Sequence, residues 1–195
     1  MEILSVVISL IALGITGANA WFTWWNKGKV LMTQPTSIVF FKNASVTKIH
    51  FRMLLYSTAH KGKVLESLYI TLDRGETRQN FNTWLYGTQN DLVRGSGLFI
   101  PYDGVNISHA FFLPRDGSEF HFLPGDYEVK IFAKLVNQKK VKRLSAISLS
   151  ISNEQSEKLE TEGAELHFDW GPGQANYYSH LEKPTGLPKV SLVNN

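Results

Sequence analysis

Six histidines are the first candidates for acid–base or metal chemistry in this chain: His50, His60, His109, His121, His167 and His180. A metal ion needs its ligands on one face, which helical i, i+4 pairs or short paired motifs commonly supply. None of the six has such a spacing. His121 alternates with Phe120 and Phe122, and His167 stands between Leu166 and Phe168, so each falls on the polar face of a strand. By the same parity His167 and Asp169 share a face and can pair; such a pair is more often solvated than functional. The chain has no cysteine, which excludes disulfides, thiolate metal sites and cysteine nucleophiles. Gly95-Ser96-Gly97 is too short for a phosphate cradle, has no strand–loop–helix setting, and reads as a turn before Leu98. No Gly-x-Ser-x-Gly elbow is present. No catalytic residue, metal ligand or cofactor is expected.

Charge is more informative. Lys139, Lys140, Lys142 and Arg143 fall at the expected tip of a hairpin. On a membrane-anchored domain such a tip can meet anionic headgroups, each cation contributing about 1 kcal/mol; otherwise it is a solvated turn that discourages edge pairing. Glu154, Glu157, Glu160, Glu162 and Glu165, offset by Lys158, form an acidic patch consistent with the outer face of a short helix. The net charge of +3 is too small to imply a nucleic-acid partner. Asn43-Ala44-Ser45 and Asn106-Ile107-Ser108 are glycosylation sequons, meaningful only in a eukaryotic secretory setting.

The element that places everything else is the N-terminal segment. From Ile3 to Trp25 there is no ionisable side chain, and Asn19 is the one strongly polar residue. A helix of that length spans about 30 Å, the thickness of a bilayer core. Trp21, Phe22, Trp24 and Trp25 cluster at its end, followed by Lys27 and Lys29, as a membrane–water interface favours. A cleaved signal peptide is the rival reading, since Ala18 and Ala20 give a small-x-small site. Met1-Glu2 offers no cation for a secretory n-region, however, and the apolar run passes through the supposed cut. Because Lys27 and Lys29 follow the span, the expected topology is single-pass in the inner (plasma) membrane, N-terminus out and globular domain cytoplasmic. Ser5 with Ser9, and Gly14 with Ala18, are small-xxx-small pairs through which two helices could associate into a homo-oligomer.

After Lys29 the hydrophobic period becomes two. Ile38–Phe41, Ile49–Leu55, Leu68–Leu72, Phe81–Tyr86, Leu98–Ile100, His109–Leu113, Phe120–Leu123, Tyr127–Val136, Val141–Ile151 and Leu166–Trp170 read as short strands between turn signals. Asn153–Gly163 is the one expected helix, capped by Asn153. The pattern predicts a mainly β domain, an antiparallel β-sandwich over residues 30–170, after a membrane segment at 1–29. Residues 171–195, rich in Gly, Pro, Asn and Tyr without periodicity, read as an extended or disordered tail. Tyr127, Val129, Ile131, Ala133 and Leu135 share one apolar face, with Lys130 on the other. Leu123-Pro124-Gly125-Asp126-Tyr127 is similar to the tyrosine corner of immunoglobulin-like sandwiches, which makes that topology an expectation for the fold. The 195 residues, 43% of them apolar, suffice for one such core without staples.

The opening Met1-Glu2, the Trp-rich run Trp21 to Trp25, Pro35-Thr36 and Arg74-Gly75-Glu76 resemble a group of uncharacterised bacterial proteins that join an N-terminal anchor to a small β-domain. The resemblance implies architecture and cytosolic orientation, and no activity. The leading functional expectation is a membrane-anchored, non-enzymatic binding or scaffolding module, with the lipid bilayer and a protein as partners. The alternatives are a periplasmic or extracytoplasmic binding domain, and a ligand sensor or enzyme using a polar cleft.

Overall fold

The computed structural model describes residues 2–22, 28–43, 46–88, 91–114, 116, 119–161 and 164–183. Its first element, α1 (Glu2–Ala20), is exposed along its whole length and is long and apolar enough to cross a membrane. Ser5, Ser9 and Thr16 donate their hydroxyl protons to the carbonyls of Glu2, Ser5 and Ala12. Those hydroxyls are therefore satisfied within the helix itself.

The rest is two antiparallel sheets. The larger runs β13 (Asn176–Glu182), β12 (Glu165–Gly171), β2 (Ser37–Lys42), β3 (Thr47–Ser57), β9 (Val105–Phe112), β6 (Thr83–Thr88), β7 (Asp91–Arg94). β1 (Val30–Met32) pairs with the end of β3, on the same edge as β2. The smaller sheet runs β11 (Lys142–Ile151), β10 (Gly125–Leu135), β4 (Lys63–Arg74), β5 (Thr77–Phe81), with β8 (Leu98–Ile100) beside the start of β4. Inward residues of both sheets form one core, in which the β10 series Tyr127, Val129, Ile131, Ala133 and Leu135 meets residues such as Ile49, Phe51 and Phe111 of the larger sheet. The sandwich expected from the period-two pattern is thus present. Tyr127 also closes the expected corner, its hydroxyl donating to the Leu123 carbonyl at 2.6 Å. Burial pushes the Tyr127 phenol up to about 12, so it stays a donor at any ordinary pH.

Four differences from the sequence reading have physical causes. Phe81–Tyr86 is two strands: Phe81 pairs with Ile70 in one sheet and Trp84 with Phe111 in the other. Both rings are buried although their positions have opposite parity, so the chain must change sheets at Asn82. Phe120–Leu123 is not a strand, because α2 (Asn153–Thr161) supplies its partners. Glu160 accepts the Phe122 N–H at 2.9 Å, and Ser156 donates to the Phe122 carbonyl at 2.6 Å. The cap of α2 is Ser152 rather than Asn153: Ser152 Oγ accepts the Gln155 N–H while Gln155 returns a bond to the Ser152 N–H, a reciprocal capping box. Finally, the larger sheet extends into the stretch assigned to a tail, since β13 pairs with β12 along its whole length.

Candidate functional site

Of the expected interfacial residues, Trp21 and Phe22 continue α1 in a widened turn, both more than half exposed. Trp24, Trp25 and Lys27 lie outside the described residues. Lys29 is fixed to the sandwich: its N–H donates to the Thr58 hydroxyl at 2.7 Å and its carbonyl accepts the Thr58 N–H at 2.9 Å. The chain therefore joins the domain at one end of the sheets, between Lys29 and Val30.

Three loops sit at that end. The β3–β4 turn carries His60, Lys61 and Gly62; its first strand is tied to the next loop by the Ser57 N–H donating to the Pro101 carbonyl, and His60 stacks on Tyr102 at 4.4 Å. Gly62 has φ +67°, and a Cβ there would lie 2.5 Å from the Phe99 ring, so this junction requires glycine. The β10–β11 hairpin is the third: the Val136 N–H donates to Val64, and the Lys142 ammonium lies 3.5 Å from the Val30 carbonyl oxygen. Lys139, Lys140, Lys142 and Arg143, expected at a hairpin tip, are thereby brought together with Lys29, Lys61 and Lys63. Asp103 is the one carboxylate within residues 57–63, 100–105 and 136–143. Phe99, Tyr102, Val136 and Val141 are exposed beside these cations. The arrangement is an electropositive rim with protruding apolar groups, chemically suited to anionic headgroups.

The opposite end is anchored by α2. Burial raises the Glu160 carboxyl, but bonds from Lys42, His121 and the Phe122 N–H outweigh it and hold the group below its ordinary range. Glu160 is thus a structural tie and not a solvated member of the acidic patch, and His121 belongs to this tie instead of a strand face. Glu162 lies outside the described residues. His109 is in the core, its Nδ1 accepting the Trp84 indole N–H at 3.1 Å; burial, and then the nearby His50, push its imidazole down to about 3. His50 is pushed down to about 4 by burial, with Lys48 and His167 adding to the effect.

The remaining cluster lies on the outer face of the β12–β13 pair. His167 and His180 are directly opposite one another, and so are Glu165 and Glu182. His167 Nε2 lies 3.3 Å from Glu165 Oε2 and 3.6 Å from Glu182 Oε2, while His180 Nε2 lies 3.0 Å from Glu182 Oε1. His180 Nδ1 faces Asp169 Oδ2 at 3.5 Å, and the two imidazoles stack with centroids 5.3 Å apart. The pairing expected between His167 and Asp169 is made by His180 instead. Sequence reading missed the grouping because His180 and Glu182 sat in the supposed tail; the alternation Tyr178, His180, Glu182 was its one local signal. No protein-family model matches the chain, and no curated protein matches it.

Proposed function

We propose that this protein is a membrane-anchored, non-enzymatic binding or scaffolding module whose β-sandwich faces the cytosol and rests its basic end on the anionic inner leaflet. The observation that carries the reading is the position of the seven cations at the end where the chain joins the sandwich. From Phe22 to Gly28 is six residues, at most ~20 Å of extended chain, so the rim stays close to the end of α1. At full extension that reach exceeds the Debye length of about 8 Å at physiological salt, so the attraction acts when the short connection lets the rim approach the headgroups. Each Lys or Arg at an anionic surface contributes about 1 kcal/mol, and tethering removes most of the translational cost of binding.

Lys29 on the C-terminal side of α1 supports a cytosolic domain, because cations flanking a span are retained there. The anionic leaflet is then on the same side as the rim, and the two features agree. With its basic end against the bilayer, the sandwich turns its α2 end outward, and a protein partner has that end and the sheet faces to contact. The reading requires an uncleaved α1. Intact mass of the membrane-extracted protein tests this: the full chain mass is expected, and a mature N-terminus at Trp21 would contradict it.

A further inference from the structure

We propose that the outer face of β12–β13 binds one divalent transition-metal ion of the zinc class, with His167, His180 and Glu182 as its protein ligands. One nitrogen from each histidine and a carboxylate oxygen of Glu182 lie within 4.8 Å of one another. Metal–ligand bonds of about 2.0–2.1 Å set tetrahedrally put neighbouring donors about 3.4 Å apart. Within this group Glu182 Oε1 lies 3.0 Å from His180 Nε2 and Glu182 Oε2 lies 3.6 Å from His167 Nε2, on either side of that value. Two imidazoles with carboxylates favour zinc and its neighbours over calcium or magnesium, which prefer oxygen alone.

The cross-strand register sets these side chains opposite one another on one face. Glu165 opposite Glu182 is a like-charge pair on one face, and His167 Nε2 lies 3.3 Å from the first and 3.6 Å from the second. His167 opposite His180 repeats the match in the next row. Lys48 stands along the Glu165 row, its ammonium over the Phe41 ring at 4.9 Å and attracted by the Glu165 carboxylate. A divalent ion held by His167, His180 and Glu182 would tie the two rows together by shared ligation. Asp169 at His180 Nδ1 would orient that ring as an outer carboxylate orients a metal-bound imidazole, leaving Nε2 for the ion. His180 and Glu182 are about half exposed, so the ion has a direct path from solvent. The ion would also fasten β13, an edge strand, to the rest of the larger sheet.

The test is a zinc titration of the full-length protein in detergent, carried without a polyhistidine tag, stripped of metal and set against a competing micromolar chelator. One zinc per chain is expected. His180→Ala and Glu182→Gln should each weaken binding about tenfold or more, since even outer partners of metal sites are worth 10–100-fold. His60→Ala, at the opposite end of the sandwich, should leave it unchanged. Imidazole NMR of the unsubstituted protein locates the ion without any variant: the His167 and His180 resonances move on adding zinc, and that of His60 does not. Failure to compete with the chelator overturns the proposal, as does zinc binding that survives in His180→Ala with wild-type affinity. Either result leaves the membrane reading untouched, because the two sites share no residue.

Discussion

The Lys142 ammonium lies 3.5 Å from the carbonyl oxygen of Val30, so the basic β10–β11 hairpin is packed beside the residue at which the chain joins the sandwich. If that end rests on anionic lipid, its contact must depend on lipid charge. In nanodiscs, a dye on Val136→Cys should be quenched by headgroup spin labels when anionic lipid is present, and less in zwitterionic discs or high salt. Lys139→Glu with Lys140→Glu should abolish the difference, since losing two cations alone costs about 2 kcal/mol at the surface. Quenching indifferent to lipid charge would remove the electrostatic part of the account.

Core burial sets a second expectation. Ile131 is fully buried between the sheets, and Ile131→Ala removes methylenes and leaves a cavity, a loss of about 2–5 kcal/mol. Lys130, expected from the alternation to be a solvent-facing control, is instead mostly buried and bridges Asp73 at 2.7 Å and Glu128 at 2.8 Å. Lys130→Ala leaves Asp73 with Arg78 as its ion-pair partner and should destabilise less than Ile131→Ala. Lys134, paired with Glu66 where both side chains are well exposed, is the better control, and Lys134→Ala should stay within about 0.5 kcal/mol. Urea unfolding of the full-length protein in detergent ranks the three.

A third expectation is acid lability. His109 is depressed to about 3 in the folded protein against an ordinary 6.5, so between those values the unfolded chain binds a proton that the folded one refuses. Stability attributable to His109 is therefore complete above pH 6.5 and is lost as pH falls from there toward 3, at up to about 1.4 kcal/mol per pH unit. His50, depressed to about 4, adds in the same direction over 6.5 to 4. Asp73 behaves differently: the Arg78 bond first, and then Lys130 against the opposing effect of burial, hold its carboxyl well below the ordinary range. Its contribution is present above about pH 4 and fails only in stronger acid. Urea midpoints at pH 7.5 and 5 should differ clearly in the wild type. His109→Gln should flatten the difference by about one proton; an unchanged pH slope would mean that His109 is not the neutral, buried group described.

The legible parts of the fold were those whose signal is local. β10 declares itself because five apolar residues alternate without interruption, and α1 because no charge interrupts it. The change of sheet at Asn82 was also written locally, in the opposite parity of two aromatic residues that both needed burial. What escaped were relationships made by pairing. β7 and β13 are edge strands with mixed polarity, and their positions are set by neighbours distant in sequence. The segment Phe120–Leu123 shows strand-like alternation, yet its backbone groups were claimed by α2 side chains, which nothing nearby in sequence announces. The His167–His180–Glu182 grouping was hidden for the same reason: parity placed each residue on a face, but only the β12–β13 register brings the faces together.

The central claim is a retained anchor with the sandwich on the cytosolic side, and the absence of native cysteine makes its test clean. Ser148 is exposed on β11 and belongs to neither proposed site, so Ser148→Cys supplies a single accessible thiol. A membrane-impermeant maleimide is applied to spheroplasts and, separately, to inside-out vesicles from a bacterial host. The account predicts labelling in the inside-out vesicles alone, on a full-length chain that stays with the membrane after alkaline washing. Labelling of intact spheroplasts, or release of the labelled chain by the wash, would contradict it.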